Sequence, residues 1–277
     1  MKPRPFDYVA PTSVEEALDA LNRNPGEARI MAGGQSLMAM LNLRLVRPSV
    51  IVDISRIPGL GEIRVSGGKV VIGAAVTQAR LLAWDGLAEH LPFIAKALPW
   101  TGHFQTRNRG TVCGSLCHSD PSSELPLSLA LLGGEVVLRT RRKERVLSAA
   151  EFQVGLLTVA KQDDEMVTEV RFPVGVGRKG CAFREVARRH GDFAIVGVGA
   201  VVLDDGRIRM AAGGLSDTPK TQEFAADIPD EDFAALIDRW AWELRGFDDI
   251  HANARYRRDL LRRLAPAILQ EVRACVS

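Results

Sequence analysis

The first fifty residues contain one amphipathic helix, followed by short apolar segments. Apolar positions recur at helical spacing after the capping residue Ser13, which predicts a helix that ends before Asn24-Pro25-Gly26. A short strand is predicted at Ala28–Ala32, where the chain runs into Gly33-Gly34, and a run of β-branched residues predicts a buried strand at Val50–Ile54. A short helix from Ser36 to Leu41 is expected between them.

The middle of the chain mixes alternating and helical patterns. Period-two alternation around Ser66-Gly67-Gly68 predicts a hairpin, and a second hairpin is expected around Arg141-Arg142-Lys143. The predicted elements are strands Glu62–Val65, Lys69–Gly73, Glu135–Thr140, Arg145–Leu147 and Met166–Phe172, and helices Gln78–Trp84 and Leu91–Trp100. Between them, Gly102 to Ser123 predicts a long loop of small polar residues.

The segment Pro173–Gly180 has the glycine and proline content of a linker. After it, strands at Ala182–Ala187, Ala194–Leu203 and Arg207–Gly213 predict an antiparallel meander, and a helical pattern begins near Asp230. The fold class is therefore α+β, with one domain at 1–176, with subdomains of about 1–54 and 55–176, and a small C-terminal domain at 177–277.

Composition narrows the class of protein. The 277 residues are 46% hydrophobic and 25% charged, which suits a folded protein with buried cores, and a net charge of +2 argues against binding nucleic acid through charge. No apolar run reaches the roughly 18 residues of a membrane span, and the N-terminus lacks the apolar core of a signal peptide, so we expect a cytoplasmic protein. The four cysteines, Cys113, Cys117, Cys181 and Cys275, indicate reduced thiols, and Cys113-x-x-x-Cys117-His118 has too few partners for a metal site.

The most suggestive local feature is the turn Gly33-Gly34, which lies between a predicted strand and a predicted helix. Glycine lets backbone N–H groups close on an anion, the helix start adds positive potential, and Ser36 can donate a hydrogen bond. Alone, the turn indicates only a generic anion-binding loop. The spacing at this turn matches neither G-x-G-x-x-G nor G-x-x-x-x-G-K-[ST], so the turn supports neither a Rossmann fold nor a P-loop.

A second loop with glycine and hydroxyl residues is Arg107–Ser115, which continues into His118–Pro126. A long loop without secondary structure inside a compact domain is usually functional. Two such loops could close on opposite sides of one extended ligand.

These segments carry a family resemblance. Ala32–Leu37 and Arg107–Ser115, with Asp120-Pro121, resemble the two signatures of the FAD-binding medium subunit of the xanthine dehydrogenase and aerobic carbon monoxide dehydrogenase family, the molybdenum hydroxylases. Matching segments continue along the chain at Phe6-Asp7-Tyr8, Asp53-Ile54, Glu165–Pro173, Arg188–Ala194 and Tyr256-Arg257-Arg258. The resemblance implies a two-part FAD-binding domain of the PCMH, vanillyl-alcohol oxidase-like, type.

The resemblance also implies which residues hold the cofactor. The pyrophosphate of FAD is expected at Met31, Ala32, Gly33, Gly34, Gln35, Ser36, Leu37, Thr111, Gly114 and Ser115. Further expected contacts are Thr101, Ser119, Asp120, Glu124 and Val167. Phe193 matches a position, often aromatic, that lies against the isoalloxazine ring, although without the resemblance a core aromatic is the simpler interpretation. No catalytic residue and no metal ligand are predicted.

Cys113 departs from the family pattern, because it replaces the first glycine of the usual Gly-Gly pair. If that position needs a positive φ or a close phosphate, the thiol side chain would strain it. Alternatively, the loop binds through Gly114 and Ser115 while Cys113 packs inward. Cys117 is also unusual for the family, and an inert buried thiol is the simpler interpretation.

The resemblance implies an oxidoreductase subunit. Its expected partners are a large subunit with molybdopterin and a small subunit with two [2Fe–2S] clusters, in a hetero-oligomer for which a dimer of heterotrimers is one arrangement. FAD on this chain would pass electrons from the clusters to an external acceptor. The alternatives are a self-contained FAD-dependent oxidase or reductase and an interaction module that has lost its cofactor, which Cys113 would favour.

Overall fold

Four β-sheets with helices packed between them form the part of the chain that the computed structural model describes, residues 2–275. The first is a parallel sheet of three strands in the order β1-β3-β2. Its elements are β1 (Asp7–Val9), α1 (Val14–Arg23), β2 (Ala28–Met31), α2 (Leu37–Asn42) and β3 (Val50–Asp53). The predicted cap is confirmed, since the Ser13 hydroxyl accepts a hydrogen bond from the Glu16 N–H at 3.1 Å.

The second sheet is antiparallel, in the order β4-β5-β10-β6-β7. Its strands are β4 (Ile63–Ser66), β5 (Lys69–Gly73), β6 (Glu135–Arg139), β7 (Glu144–Ser148) and β10 (Met166–Pro173), beside a small hairpin of β8 (Gln153–Gly155) and β9 (Thr158–Val159). Both predicted hairpins are confirmed. The first turns at Gly67 and Gly68, whose φ angles of 57° and 72° explain the glycines.

A group of short helices covers this sheet. They are α3 (Gln78–Leu82), α4 (Leu87–His90), α5 (Pro92–Ala97), a 3₁₀ turn (Leu98–Trp100), α6 (Phe104–Arg109), α7 (Val112–His118), α8 (Glu124–Leu132) and α9 (Ala149–Phe152). The prediction of a structureless loop from Gly102 to Ser123 is therefore wrong. Thr111 caps α7 by accepting a hydrogen bond from the Gly114 N–H at 3.0 Å. This helix has only seven residues, and its two large apolar side chains, Val112 and Leu116, are too short a repeat for a sequence pattern to detect.

The C-terminal part is an antiparallel sheet covered by two helices, as predicted. It contains β11 (Cys181–Val186), β12 (Val196–Val202), β13 (Ile208–Gly213), β14 (Lys220–Phe224), α10 (Asp230–Glu243) and α11 (Ala254–Ala274). Strand β14 was not predicted, because its residues Lys220–Glu223 are polar. The domain boundary at 176/177 stays a prediction, and its outer ends, Met1 and Val276-Ser277, lie outside the described residues.

The C-terminal sheet belongs to two cores at once. Cys181 and Phe183 of β11 pack into the core of the N-terminal part, and Phe183 lies edge-on to Phe93 with ring centroids 5.9 Å apart. Ala182, between them, faces the second core under α10 and α11. Because side chains alternate along a strand, Glu185 follows Phe183 on the face toward the N-terminal part. Across residues 2–275, the helices are too short or too polar to cross a membrane.

Candidate functional site

The first glycine turn lies at the carboxyl edge of the parallel sheet. Met31, the last residue of β2, pairs with Asp53 of β3, and the Ile54 N–H donates to the Met31 carbonyl at 3.0 Å. Gly34 has a φ of 71°, which a side chain would strain, and the chain then enters α2. The Ser36 side chain makes no capping bond to this helix. Ligands of α/β proteins commonly bind at such an edge, just beyond the ends of parallel strands.

The second loop lies directly against the first. A Cβ on Gly33 would come within 2.0 Å of the Arg109 carbonyl oxygen and 2.9 Å of the Gly110 Cα. Helix α3 holds this second loop, because the Gln78 N–H donates to the Gly110 carbonyl at 2.8 Å. The two predicted glycine segments therefore meet backbone to backbone, although some 75 residues separate them along the chain.

The position of Cys113 decides between the two alternatives for the second loop, a strained Cys113 or a Cys113 that packs inward. It is the second residue of the right-handed helix α7, so its position does not require a positive φ. The thiol is buried and donates to the Ile72 carbonyl, with 3.7 Å between sulfur and oxygen. Burial raises the pKa of the Cys113 thiol well above its usual value and that of Cys117 to about 11, so both are neutral thiols at pH 7. Cys113 packs inward, as the second alternative stated.

The segment after α7 connects the two halves of the chain. Ser119 ends α7 in a left-handed conformation, with a φ of 51°, and the Asp120 carboxylate accepts a hydrogen bond from the Ser122 N–H at 2.9 Å. Two backbone bonds then reach the C-terminal part: Gly214 N–H to the Pro121 carbonyl at 2.9 Å and Ala194 N–H to the Ser122 carbonyl at 3.3 Å. Asp120 thus lies where the N-terminal part of the chain meets the C-terminal sheet.

A buried acid, Glu124, and a partly buried acid, Glu185, lie at the same boundary. The Thr101 hydroxyl donates to Glu124 at 2.9 Å, and Glu124 is 5% exposed at the start of α8. Glu185 of β11 faces it, and neither carboxylate oxygen of Glu185 has a hydrogen-bond donor. Burial raises the pKa of Glu124. Burial and the neighbouring Glu124 raise the pKa of Glu185 to about 8.

An open cleft of about 340 Å³ lies beside this pair, lined by Trp100 and residues 185–190. His190 packs edge-on against Trp100, with ring centroids 5.1 Å apart. Phe193, three residues farther along, is 58% exposed, so it is not the core aromatic of the simpler interpretation. Val167 lies instead among core side chains and is 5% exposed, and its role as a cofactor contact stays a prediction.

Sequence reasoning missed three positions. The Arg109 carbonyl acts through the backbone, which no side-chain pattern reveals. Gln78 is 4% exposed with an unpaired Oε1, and as the first residue of a predicted helix it shows no sequence signal of its contact with Gly110. Glu185 could have been found, because it continues the inward-facing alternation of Cys181 and Phe183.

The geometry fits FAD in one testable respect. The two glycine segments lie side by side just beyond the ends of the parallel strands, where backbone N–H groups from both can face one pyrophosphate. The contact of Gly33 with the Arg109 backbone, in which no Cβ fits, holds the two segments together. Among residues 2–275, no group of three or more His, Cys, Asp or Glu side chains could hold a metal ion.

Comparison with known proteins decides the family. Residues 4–175 match the family described as the FAD binding domain in molybdopterin dehydrogenase. The chain belongs to the FAD-binding subunits of the molybdenum hydroxylases. This molybdenum hydroxylase subunit is 37% identical to the 6-hydroxypseudooxynicotine dehydrogenase complex subunit alpha of Paenarthrobacter nicotinovorans, over 97% of this chain and 95% of that one. It is 33% identical to the carbon monoxide dehydrogenase medium chain of Hydrogenophaga pseudoflava, over 80% of this chain and 79% of that one.

Solved structures agree with this assignment. The fold of the subunit is similar to quinoline 2-oxidoreductase from Pseudomonas putida 86, with a TM-score of 0.90, 31% identity and coverage of 100% of this chain and 99% of that chain. The predicted family, fold class and cofactor are confirmed: the chain is an oxidoreductase subunit, and its cofactor is FAD. The interpretation as a module without a cofactor is therefore set aside.

Proposed function

We propose that this chain is the electron-carrying medium subunit of a cytoplasmic molybdenum hydroxylase. It would assemble with a molybdopterin-binding large subunit and a small subunit that carries two [2Fe–2S] clusters, as a dimer of heterotrimers. The proposal is supported by relatives named as a medium chain or as one subunit of a dehydrogenase complex. The structural observation that carries it is the backbone contact between the two glycine loops at Gly33 and Arg109.

The residues around this contact would hold the cofactor. Backbone N–H groups of Met31–Leu37 and of Thr111–Ser115 would bind the pyrophosphate, with the free hydroxyl of Ser36 as a further donor. Ser119 and Asp120 would bind nearer the C-terminal sheet. When bound, FAD supplies the redox chemistry, taking electrons from an iron–sulfur partner and passing them to an external acceptor.

The chain's own residues would orient the cofactor and shield it. The exposed ring of Phe193 is available to stack on a planar ligand, and it lies next to Ala194, which is bonded to Ser122 of the FAD-binding part. Thr101 and Glu124 are hydrogen-bonded to each other and would present fixed polar groups to the ligand. The protein thus contributes position and electrostatics, and the cofactor contributes the electron chemistry.

Purification of the native assembly through a tag on this chain tests the proposal. We expect two further chains to co-purify in equal amounts, with molybdenum and iron bound to them and FAD bound to this one. A substrate of the large subunit should bleach the iron–sulfur absorption and the flavin absorption together. If the FAD-loaded chain alone oxidises a substrate with no partner present, it is a self-contained enzyme and the proposal is wrong.

A further inference from the structure

The pair formed by Glu124 and Glu185 is built from both halves of the chain. Glu124 begins α8 of the FAD-binding part, and Glu185 is the fifth residue of β11 in the C-terminal sheet. Both side chains line one narrow cavity together with Pro121, Leu127, Phe183 and Ala194. The apolar members of this lining reduce the solvation of any charge placed there.

Hydrogen bonding in the pair is incomplete without an added proton. The Thr101 hydroxyl donates to Glu124, but both carboxylate oxygens of Glu185 are buried and have no donor. A buried acceptor without a partner costs free energy, and two facing carboxylates repel each other. A single proton between the two carboxyl groups removes the repulsion and gives one Glu185 oxygen a hydrogen-bond partner, because the protonated carboxyl becomes a donor to the other.

The surrounding charges do not replace that proton. Asp120, on the segment before α8, adds further negative potential at Glu124. On the elements packed against β11, Lys96 of α5 donates a hydrogen bond to the Cys181 carbonyl and forms an ion pair with Glu271 of α11. Glu271 also forms an ion pair with Arg184 of β11. Three further titratable residues line the open cleft beside Glu185 and are exposed there: Arg188, Arg189 and His190. Within residues 2–275, no cation forms an ion pair with Glu124 or Glu185.

We infer that Glu124 and Glu185 share one proton across the domain boundary, and that Glu185 is thereby a positioning residue for Glu124 at the cofactor site. The positioning role rests on the proposed cofactor site, whereas the shared proton does not. Burial and the mutual repulsion of the two acids raise the pKa of Glu185 to about 8, so the pair keeps its proton at neutral pH. Loss of the proton would leave two negative charges beside an anionic cofactor.

Infrared difference spectroscopy of the full chain, without FAD, tests the shared proton. Between about pH 6 and about pH 9.5, ordinary carboxyl groups are already ionised, so a carboxylic-acid band that disappears in this range belongs to a group with a raised pKa. We expect such a loss in the wild type, with a midpoint near 8, and none in Glu185→Gln. The exposed Glu243 of α10, which forms no ion pair within residues 2–275, provides a control: Glu243→Gln should behave as the wild type. If the wild type loses no carboxylic-acid band, the inference is overturned.

The pH dependence of FAD binding tests the positioning role. If the singly protonated pair is the form that binds, the dissociation constant of the wild type should rise about tenfold between about pH 7 and about pH 9. Glu185→Gln keeps a neutral donor toward Glu124 at every pH, so its affinity should stay constant over this range. A wild-type affinity that is equally independent of pH overturns the positioning role. Failure of the chain to bind FAD at any pH would contradict the proposed cofactor site, while the infrared result would still decide the shared proton.

Discussion

Gly33 and the carbonyl of Arg109 lie so close that an added Cβ would be 2.0 Å from the oxygen. This contact joins the turn after the parallel sheet to the loop that caps α7. Because the opposing atoms are backbone, they cannot rotate away as a side chain would.

Substituting Gly33 by alanine should therefore separate the two loops. We expect Gly33→Ala to raise the FAD dissociation constant at least tenfold and to lower the free energy of unfolding by about 1–3 kcal/mol, as overpacking does. Gly155→Ala is the matched control, because its Cβ would meet its nearest neighbour, the Cβ of Thr158, at 3.8 Å and φ there is not positive. Titration with FAD and denaturant unfolding measure the two effects. Unchanged FAD affinity in Gly33→Ala would disprove the role of this contact.

Substitution of Phe193, whose ring is exposed, should affect FAD binding and leave the stability of the fold almost unchanged. Because Phe193 is 58% exposed, Phe193→Ala should change the free energy of unfolding by less than about 0.5 kcal/mol. Loss of a stacking contact would weaken FAD binding by about 0.5–1.5 kcal/mol, a change of roughly two- to tenfold. Tyr256→Ala removes another exposed aromatic ring and should leave FAD binding as it is. Equal flavin affinities in the two variants would show that Phe193 does not contact the cofactor.

Much of the fold follows from the sequence, and the failures have physical causes. The cap at Ser13 and the hairpin at Gly67-Gly68 were predictable, since each depends on a local backbone requirement. Helix α7 was missed because it has only seven residues and two large apolar side chains, Val112 and Leu116. Its stability comes from the Thr111 cap and from contacts with the rest of the fold.

The candidate site was predictable only in part. The two glycine segments were identified from their residues and their family resemblance, but not their contact through the Arg109 carbonyl, which depends on tertiary structure. Likewise, Glu124 was predicted as a cofactor contact, whereas its facing partner Glu185 lies about 60 residues away in the sequence. The alternation along β11 turns Glu185 inward, but its pairing with Glu124 depends on how the C-terminal sheet packs against α8, which neither segment reveals alone.

The stability of the protein should depend on pH through Glu185. Its pKa is raised to about 8 in the folded state, above the ordinary value of 4.5, so its favourable contribution is complete below about 4.5 and is lost as pH rises through about 8. Glu185→Gln, which cannot ionise, should match the wild type near pH 4.5 and have the higher melting temperature above pH 8. Thermal unfolding across this range provides the measurement. A difference in melting temperature that does not grow with pH would contradict the raised pKa.

Arg257 stabilises the segments that support the site from the C-terminal side. It is 1% exposed, and its guanidinium donates to the Ile195 and Gly214 carbonyls at 2.5 and 2.8 Å and to Asp249 at 2.6 Å. Arg257→Met leaves these acceptors unpaired, and we expect a loss of about 3–5 kcal/mol in the free energy of unfolding. The control Arg255→Met removes an exposed arginine whose ion pair with Asp259 is 3.9 Å long, and should cost less than about 1 kcal/mol. Similar losses in the two variants would rule out this structural role.

A structure of the FAD-loaded assembly, determined by electron cryomicroscopy, would show directly where the cofactor lies on this chain. The predicted result is density for the pyrophosphate between Gly33–Ser36 and the start of α7, with the isoalloxazine ring beside Phe193. Density for the pyrophosphate at any other place on the chain, away from the contact of Gly33 with Arg109, would contradict the account.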